Sequence, residues 1–77
     1  MLAVTLHRVD PKRNMSRYYR LDVQPDLFGQ WDLIREWGRI GQPGRMRIEA
    51  YPTADQAEDR MQLQLEAKQG RGYAQIS

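Results

Sequence analysis

Closely spaced turn signals constrain this chain more than any other feature of its sequence. Proline, glycine and asparagine recur in five short clusters, at residues 11–14, 25–29, 41–44, 52–53 and 70–72. Such clusters interrupt regular secondary structure. The segments between the first four clusters have period-two character and predict strands at about 2–9, 17–23, 31–40 and 46–51. Because the connections are short, we expect antiparallel hairpins.

The fourth of these segments alternates most clearly. Three apolar residues share one side and three charged residues the other: Met46, Ile48 and Ala50 against Arg45, Arg47 and Glu49. This pattern is typical of an antiparallel sheet with one buried face. We therefore predict that the apolar side of this strand faces the core.

The sequence period changes to that of a helix after Pro52. Thr53 and Gln56 have the spacing of a capping box, in which the Thr53 side chain accepts a hydrogen bond from the Gln56 N–H. Small and apolar residues follow at helical spacing, namely Ala54, Ala57, Met61 and Leu65, widened by Leu63 and Ala67. Gly70 is a typical stop signal, so we predict a helix over about 53–69.

These elements predict an α+β fold: an antiparallel four- to five-stranded meander with one helix packed across a face. The 77 residues suffice for one domain, residues 1–77, with a small core. The absence of cysteine excludes disulfides and cysteine-based zinc sites. No apolar run approaches the roughly 20 residues that span a bilayer, and we expect a cytoplasmic protein that does not bind membranes.

The sequence contains no recognisable catalytic or metal-binding motif. His7, the only histidine, has no carboxylate at ligand spacing. No serine lies in a nucleophile-elbow motif, and Gly38, Gly41 and Gly44 are not followed by the helix that a phosphate loop requires. We therefore predict that the chain is not an enzyme and holds no metal or cofactor.

Arginine supplies most of the positive charge. Ten of the 12 basic residues are arginine, and the net charge is +2. Residues 1–52 carry a net charge of +3, whereas residues 53–77 carry −1. Arginine is suited to bidentate contact with phosphate or carboxylate, although a solvated, salt-bridged surface is the alternative interpretation.

The predicted third strand brings tryptophan and arginine onto one face. Period two places Trp31, Leu33, Arg35, Trp37 and Arg39 on the same side. A tryptophan flanked by arginines would suit a flat or sugar-like ligand that carries phosphate. The alternative is that Trp37 belongs to the core and the arginines cover it. The residues alone leave both interpretations open.

Residues 37–41, Trp-Gly-Arg-Ile-Gly, resemble the signature of the WGR domain family. Other segments resemble family features in the same order: Arg17-Tyr18-Tyr19-Arg20-Leu21, Gln30-Trp31-Asp32-Leu33, Gly44, residues 53–61, and Lys68-Gln69-Gly70-Arg71-Gly72-Tyr73. In that order, these segments match five features of the family: the second strand, the start of the strand that carries the signature, the glycine before the fourth strand, the start of the helix and the end of the helix. The resemblance covers about residues 3–73.

The resemblance implies a sheet with one helix across it and a role known from DNA-dependent poly(ADP-ribose) polymerases. There the domain contacts DNA at strand breaks and relays that binding to a separate catalytic domain. We expect no such catalytic domain in this chain, which looks like the stand-alone bacterial type. By resemblance, Trp37 packs against the sugar at a break end and Arg39 joins DNA binding to neighbouring domains. Lys68 matches a lysine that meets phosphate, and Tyr73 an aromatic position nearby. The polymerases carry asparagine where this chain has Ser16.

We therefore hypothesise a non-catalytic nucleic-acid-binding module, with DNA ends or nicks as its preferred ligand. The predicted site consists of Trp37, Arg39, Arg35, Arg17, Arg20, Arg45, Arg47, Lys68 and Tyr73. The alternative is a protein–protein interaction module, because tryptophan and arginine are also common hot-spot residues at protein interfaces. The expected partner is accordingly DNA or an unidentified protein.

Overall fold

The computed structural model describes residues 2–77, which form a five-stranded antiparallel sheet and one α-helix. The strands are β1 (Leu2–Asp10), β2 (Met15–Pro25), β3 (Trp31–Arg39), β4 (Arg45–Tyr51) and β5 (Ala74–Gln75), and the helix α1 spans Ala54–Gly70. The predicted α+β class is confirmed. The predicted bounds of the first four strands and of the helix differ from these by one or two residues at an end, and β5 was not located from the sequence.

The sheet has the strand order β4-β3-β2-β1-β5. The first four strands form the predicted meander, and after α1 the chain returns to the far edge, where β5 pairs with Leu6 and His7 of β1. α1 lies across β2, β3 and β4. Residues 2–77 include no helix with the length and apolarity of a membrane span.

The turn between β1 and β2 sets the register of that hairpin. The Asp10 carboxylate accepts a backbone N–H at 3.1 Å and starts a one-turn 3-10 helix. Asn14 then adopts a left-handed conformation, with φ of 51°, which asparagine tolerates better than most residues. The resulting register places Arg8 directly opposite Arg17.

One face of the sheet packs against α1 and forms the core. Four of its side chains are fully buried: Leu6, Leu21, Val23 and Leu33. α1 contributes Ala57 and Met61 to the same cluster. Burial of a leucine or valine side chain contributes about 1.5–3 kcal/mol, so a few residues supply much of the hydrophobic stabilisation of this small domain.

The predicted orientation of β4 was wrong, because its apolar side faces away from the core. Met46, Ile48 and Ala50 are all exposed. Glu49 lies opposite the buried Leu33 in the register, on the side that α1 covers. The large apolar residues of β2 and β3 determine which face α1 covers, and an edge strand must follow the register that pairing imposes.

The helix begins as predicted but buries a narrower stripe. The Thr53 hydroxyl accepts from the backbone N–H of Gln56 at 3.2 Å. Leu63 and Ala67, which were expected to widen the apolar stripe, are exposed instead. Two residues of a helix span about 200°, so Leu63 points away from the sheet when Met61 points toward it.

Gly72, rather than Gly70, supplies the left-handed residue at the end of α1. Gly70 is still helical, whereas Gly72 has φ of +93°. The N–H of Tyr73 donates to the carbonyl of Lys68 at 3.1 Å and closes the helix end. This closure brings Tyr73 next to the last turn of α1.

Two glycines allow a close approach between β3 and the start of β4. A Cβ atom on Gly38 would lie 2.8 Å from the Cα atom of Gly44. A Cβ atom on Gly44 would clash with the carbonyl oxygen of Trp37 and the hydroxyl of Tyr18. Gly44 therefore lets the chain pass directly against the backbone of Trp37.

Gly44→Ala should destabilise the fold. The added methyl group has no space, so we expect the free energy of unfolding to fall by about 1–3 kcal/mol. Gly70→Ala is the matched control: its surroundings are open, and alanine should raise the free energy of unfolding by about 0.5–1 kcal/mol within a helix. Urea denaturation followed by circular dichroism measures both. A Gly44→Ala variant as stable as the parent would contradict the close approach.

Candidate nucleic-acid interface

Three arginines form a row across one end of the sheet. The register places Arg8 opposite Arg17, and Arg17 opposite Arg39. Like charges directly opposite one another destabilise a sheet. Within residues 2–77, neither Arg17 nor Arg39 forms a salt bridge. An anion placed between these two side chains would relieve their repulsion.

The next row along the strands is aromatic. The rings of Tyr19 and Trp37 are stacked, with centroids 5.9 Å apart and an interplanar angle of 15°. Tyr73 meets the Tyr19 ring edge-on at 6.3 Å. Tyr19 is buried, whereas Trp37 is half-buried. The two interpretations of Trp37 are therefore not exclusive, since it packs against the core and also lines a cavity.

Lys68 extends over this aromatic surface from the last turn of α1. Its Nζ lies 4.5 Å from the ring centroid of Tyr19 and 5.8 Å from that of Tyr73, which is within the range of cation–π attraction. Burial lowers the pKa of Lys68, and the positive charges of Arg71 and Arg35 lower it further. A bound anion would favour the charged ammonium, so Lys68 suits a phosphate contact.

Arg35 joins the helix to the sheet beneath it. Its Nε donates to the hydroxyl of Tyr19 at 2.9 Å, and its terminal nitrogens donate to Glu49 at 3.4 Å and Gln64 at 3.3 Å. These partners lie on β2, β4 and α1 respectively. Because Glu49 neutralises part of its charge, Arg35 positions the site and is a weaker anion ligand than Arg17 or Arg39.

These residues surround a cavity of about 560 Å³. Its lining combines four cations, three aromatic rings and a glycine: Arg17, Arg35, Arg39, Lys68, Tyr19, Trp37, Tyr73 and Gly38. The described lining includes no carboxylate. A cavity of this size can hold a small molecule or one end of a larger one, and its chemistry suits an anionic group attached to a sugar or base.

Six of the nine residues predicted for the site meet at this cavity. They are Arg17, Arg35, Trp37, Arg39, Lys68 and Tyr73. Arg45 and Arg47 lie opposite Trp37 and Arg35 in the register, on the same face but outside the lining. Arg20 does not belong to this surface. Alternate residues of β2 point to opposite sides, and Arg20 lies on the other face, 3.6 Å from Asp22.

Tyr19 and Arg8 belong to this face although the prediction omitted them. Tyr19 shares the period-two side of β2 with Arg17, and that spacing was the available signal. The position of Arg8 beside Arg17 follows only from the register of the β1–β2 hairpin, which depends on the left-handed conformation of Asn14. Ser16 precedes Arg17 in β2 and therefore points to the opposite face.

The described residues hold no arrangement suited to a metal ion. Across residues 2–77, no three histidine, aspartate or glutamate side chains come together as ligands. His7 lies opposite Tyr18 in the register, on the face away from α1. The side chains that line the cavity offer cationic and aromatic contacts.

A family model and a curated protein are similar to this chain. The sequence model of the WGR domain family matches residues 2–77. An uncharacterized protein, y4dW, of Sinorhizobium fredii (strain NBRC 101917 / NGR234) is 44% identical over 71 residues. The match covers 88% of this chain and 33% of the relative, so the chain spans about a third of the length of that protein.

Arg17→Gln should stabilise the protein in the absence of a ligand. It removes the repulsion with Arg39, so we expect the free energy of unfolding to rise by about 0.2–1 kcal/mol in low salt. The gain should shrink in high salt because ions screen the repulsion. Arg60→Gln, on the exposed side of α1, is the control and should change stability by less than about 0.5 kcal/mol. Urea denaturation at two ionic strengths checks this, and a loss of stability for Arg17→Gln in low salt would contradict it.

Proposed function

Because the chain belongs to the WGR domain family, we propose that it is a non-catalytic DNA-binding module that prefers strand ends and nicks. WGR domains are nucleic-acid-binding modules in proteins related to poly(ADP-ribose) polymerases. The observation that carries the proposal is the cavity in which four cations surround Trp37 and two tyrosines. The proposed setting is a bacterial cytoplasm, in keeping with DNA as the partner and with the relative from Sinorhizobium fredii.

In this proposal Trp37 stacks against the sugar or base at the broken end. Its ring is supported from behind by Tyr19, with 5.9 Å between the centroids. A ring that is already held in place loses little conformational freedom on binding. Stacking of a base on an aromatic side chain contributes about 1–3 kcal/mol.

The phosphate contacts are assigned to Arg17, Arg39 and Lys68. Within residues 2–77, Arg17 and Arg39 have no salt-bridge partner, so a phosphate between them would replace repulsion by charge-assisted hydrogen bonds. A terminal phosphate carries about −1.5 to −2 charges near neutral pH, more than the single charge of an internal phosphate. It can also enter a concave cavity, whereas an uninterrupted duplex presents a convex backbone. Both arguments favour ends and nicks.

Protein binding is a second proposal, and a different surface supports it. Leu27 and Phe28, in the β2–β3 turn, are 98% and 90% exposed. The Asp26 carboxylate accepts from the N–H groups of Phe28 and Gln30 at 2.8 and 3.0 Å, which makes the turn rigid. Adjacent exposed apolar side chains on a rigid turn suit an interface anchor.

Replacing Leu27 and Phe28 by serine should abolish binding of a protein partner and leave DNA binding unchanged.

A fluorescence titration tests the DNA proposal. The ligands are two duplexes of one sequence, one intact and one with a 5′-phosphorylated nick, at about 50 and 200 mM salt. We expect tighter binding to the nicked duplex and weaker binding at the higher salt, because log K falls by about 0.9 per tenfold rise in salt for each phosphate neutralised.

Trp37→Ala should weaken binding to the nicked duplex by about 5- to 150-fold, the equivalent of one lost stacking contact. Trp31→Ala is the matched control, because Trp31 lies on the same side of β3 but outside the cavity. In the same way, Arg17→Gln should weaken binding, and Arg20→Gln, on the other face, should leave it nearly unchanged.

The results of these titrations distinguish a specific DNA contact from damage to the fold and from general electrostatic attraction. Equal losses for Trp37→Ala and Trp31→Ala would indicate damage to the fold rather than a lost contact. Equal binding of both duplexes, unaffected by Trp37→Ala, would reduce the interaction to general electrostatic attraction. No binding of either duplex in low salt would eliminate DNA as the ligand and leave the proposal of protein binding.

A further inference from the structure

The outer edge of β4 is long and unpaired. The register with β3 runs without a bulge from Trp31 opposite Tyr51 to Trp37 opposite Arg45, and no strand of residues 2–77 pairs with the other side of β4. The opposite edge of the sheet ends in the two-residue β5. Bulges, prolines and charged side chains are among the usual protections against association. β4 has no bulge or proline between its ends, and its charged residues are Arg45, Arg47 and Glu49.

The sequence of β4 is complementary to itself in the antiparallel orientation. With Ile48 at the centre, opposite charges face each other on one side of the sheet and apolar residues on the other. The facing pairs are Arg47 and Glu49, Arg45 and Tyr51, Met46 and Ala50, and Ile48 with its own copy. Moving the centre by one residue would place Arg47 opposite Arg47 or Glu49 opposite Glu49, which is unfavourable.

We propose that β4 pairs with β4 of a second copy of this chain, antiparallel and centred on Ile48. The two five-stranded sheets then form one continuous sheet. The two-fold axis is perpendicular to the sheet and passes between the two Ile48 residues, so both helices lie on the same face. The backbone N–H and C=O groups that each edge leaves unpaired become hydrogen-bonded across the axis.

The exposed side chains of β4 are consistent with pairing to β4 of a second copy. Met46 and Ile48 are 60% and 56% exposed, and Ile34 lies opposite Ile48 on β3. Across the axis this apolar patch continues into the same patch of the second copy. On the helix face, the Arg47 side chain is 65% exposed and pairs with its own Glu49 at 3.7 Å. In the dimer it would also face Glu49 of the second copy, with about 4.5–5.5 Å between the Cβ atoms of facing residues.

The proposed dimer is weak. One strand from each copy buries less than the roughly 1,200 Å² of a standard specific interface. Such a dimer is populated mainly at high protein concentration. Chemical trapping is therefore a sharper test than measurement of size in dilute solution.

Ile48→Cys traps the dimer directly, because the chain has no other cysteine. Residues facing each other in an antiparallel pair have Cα atoms about 4.5–5.5 Å apart, within the range that a disulfide bridges. Under mild oxidation we expect Ile48→Cys to form a disulfide-linked dimer at least about tenfold faster than Ala67→Cys. The control residue, Ala67, is exposed on α1 away from the edge.

Two further variants test the register. Met46→Cys and Ala50→Cys should each cross-link slowly when present alone. The reason is that residue 46 of one copy faces residue 50 of the second copy, so a single variant has no cysteine facing its own. An equal mixture of the two should yield the mixed dimer about tenfold faster than either homodimer. Adding Arg47→Glu to Ile48→Cys should slow cross-linking, since the introduced carboxylate would then face Glu49 of the second copy, and adding Arg13→Glu should not.

Several results would overturn the proposal. An Ile48→Cys variant that retains the native circular dichroism spectrum and yet cross-links no faster than Ala67→Cys would show that the edges do not meet. Faster linkage of Met46→Cys with itself than with Ala50→Cys would show a different register. If Ile48→Cys is misfolded, sedimentation equilibrium of the unsubstituted chain at about 1 mM decides: a dimer that Arg47→Glu weakens supports the proposal, and a monomer overturns it. None of these measurements involves DNA, so they stand apart from the proposed function.

Discussion

The buried ring of Tyr19 connects the core of this domain to its candidate site. The ring is 3% exposed and belongs to the core cluster, yet it also stacks on Trp37 and lies beneath the ammonium group of Lys68. Its hydroxyl accepts from Arg35, which in turn holds α1 over the sheet. The geometry of the cavity therefore depends on the packing that keeps the domain folded, and loss of this one ring would damage both.

The arginines of the sheet divide into two groups according to their neighbours. Arg20, Arg35 and Arg47 have carboxylates within salt-bridge distance, so their charges are already partly compensated in the free protein. Arg17 and Arg39 face each other, and residues 2–77 supply neither with a carboxylate. In the proposed function, the phosphate would therefore bind at Arg17 and Arg39 rather than at the compensated arginines, because its charge would replace the repulsion between them.

Local signals in the sequence were sufficient to locate the first four strands and the helix, but they did not locate β5 and did not show which face of each strand is buried. Turn clusters delimited the strands, and the Thr53 cap located the start of α1. Alternation in β4 correctly grouped Met46 with Ile48 but could not tell which side α1 covers, since that depends on apolar residues summed over several strands. Arg20 was also predicted for the site, but it lies on the other face because neighbouring residues of a strand point to opposite sides of the sheet.

The length of β3 has a consequence for how two ligands would affect each other. From Trp31, next to the apolar turn at Leu27 and Phe28, the strand runs six residues to Trp37 and the cavity, a distance of about 20 Å at about 3.3 Å per residue. Charge effects between exposed groups decay over about 8 Å at physiological ionic strength. A phosphate bound at one end would therefore have almost no electrostatic effect at the other. Coupling between ligands at the two ends of the strand would therefore require a change in the conformation of the strand or of its neighbours.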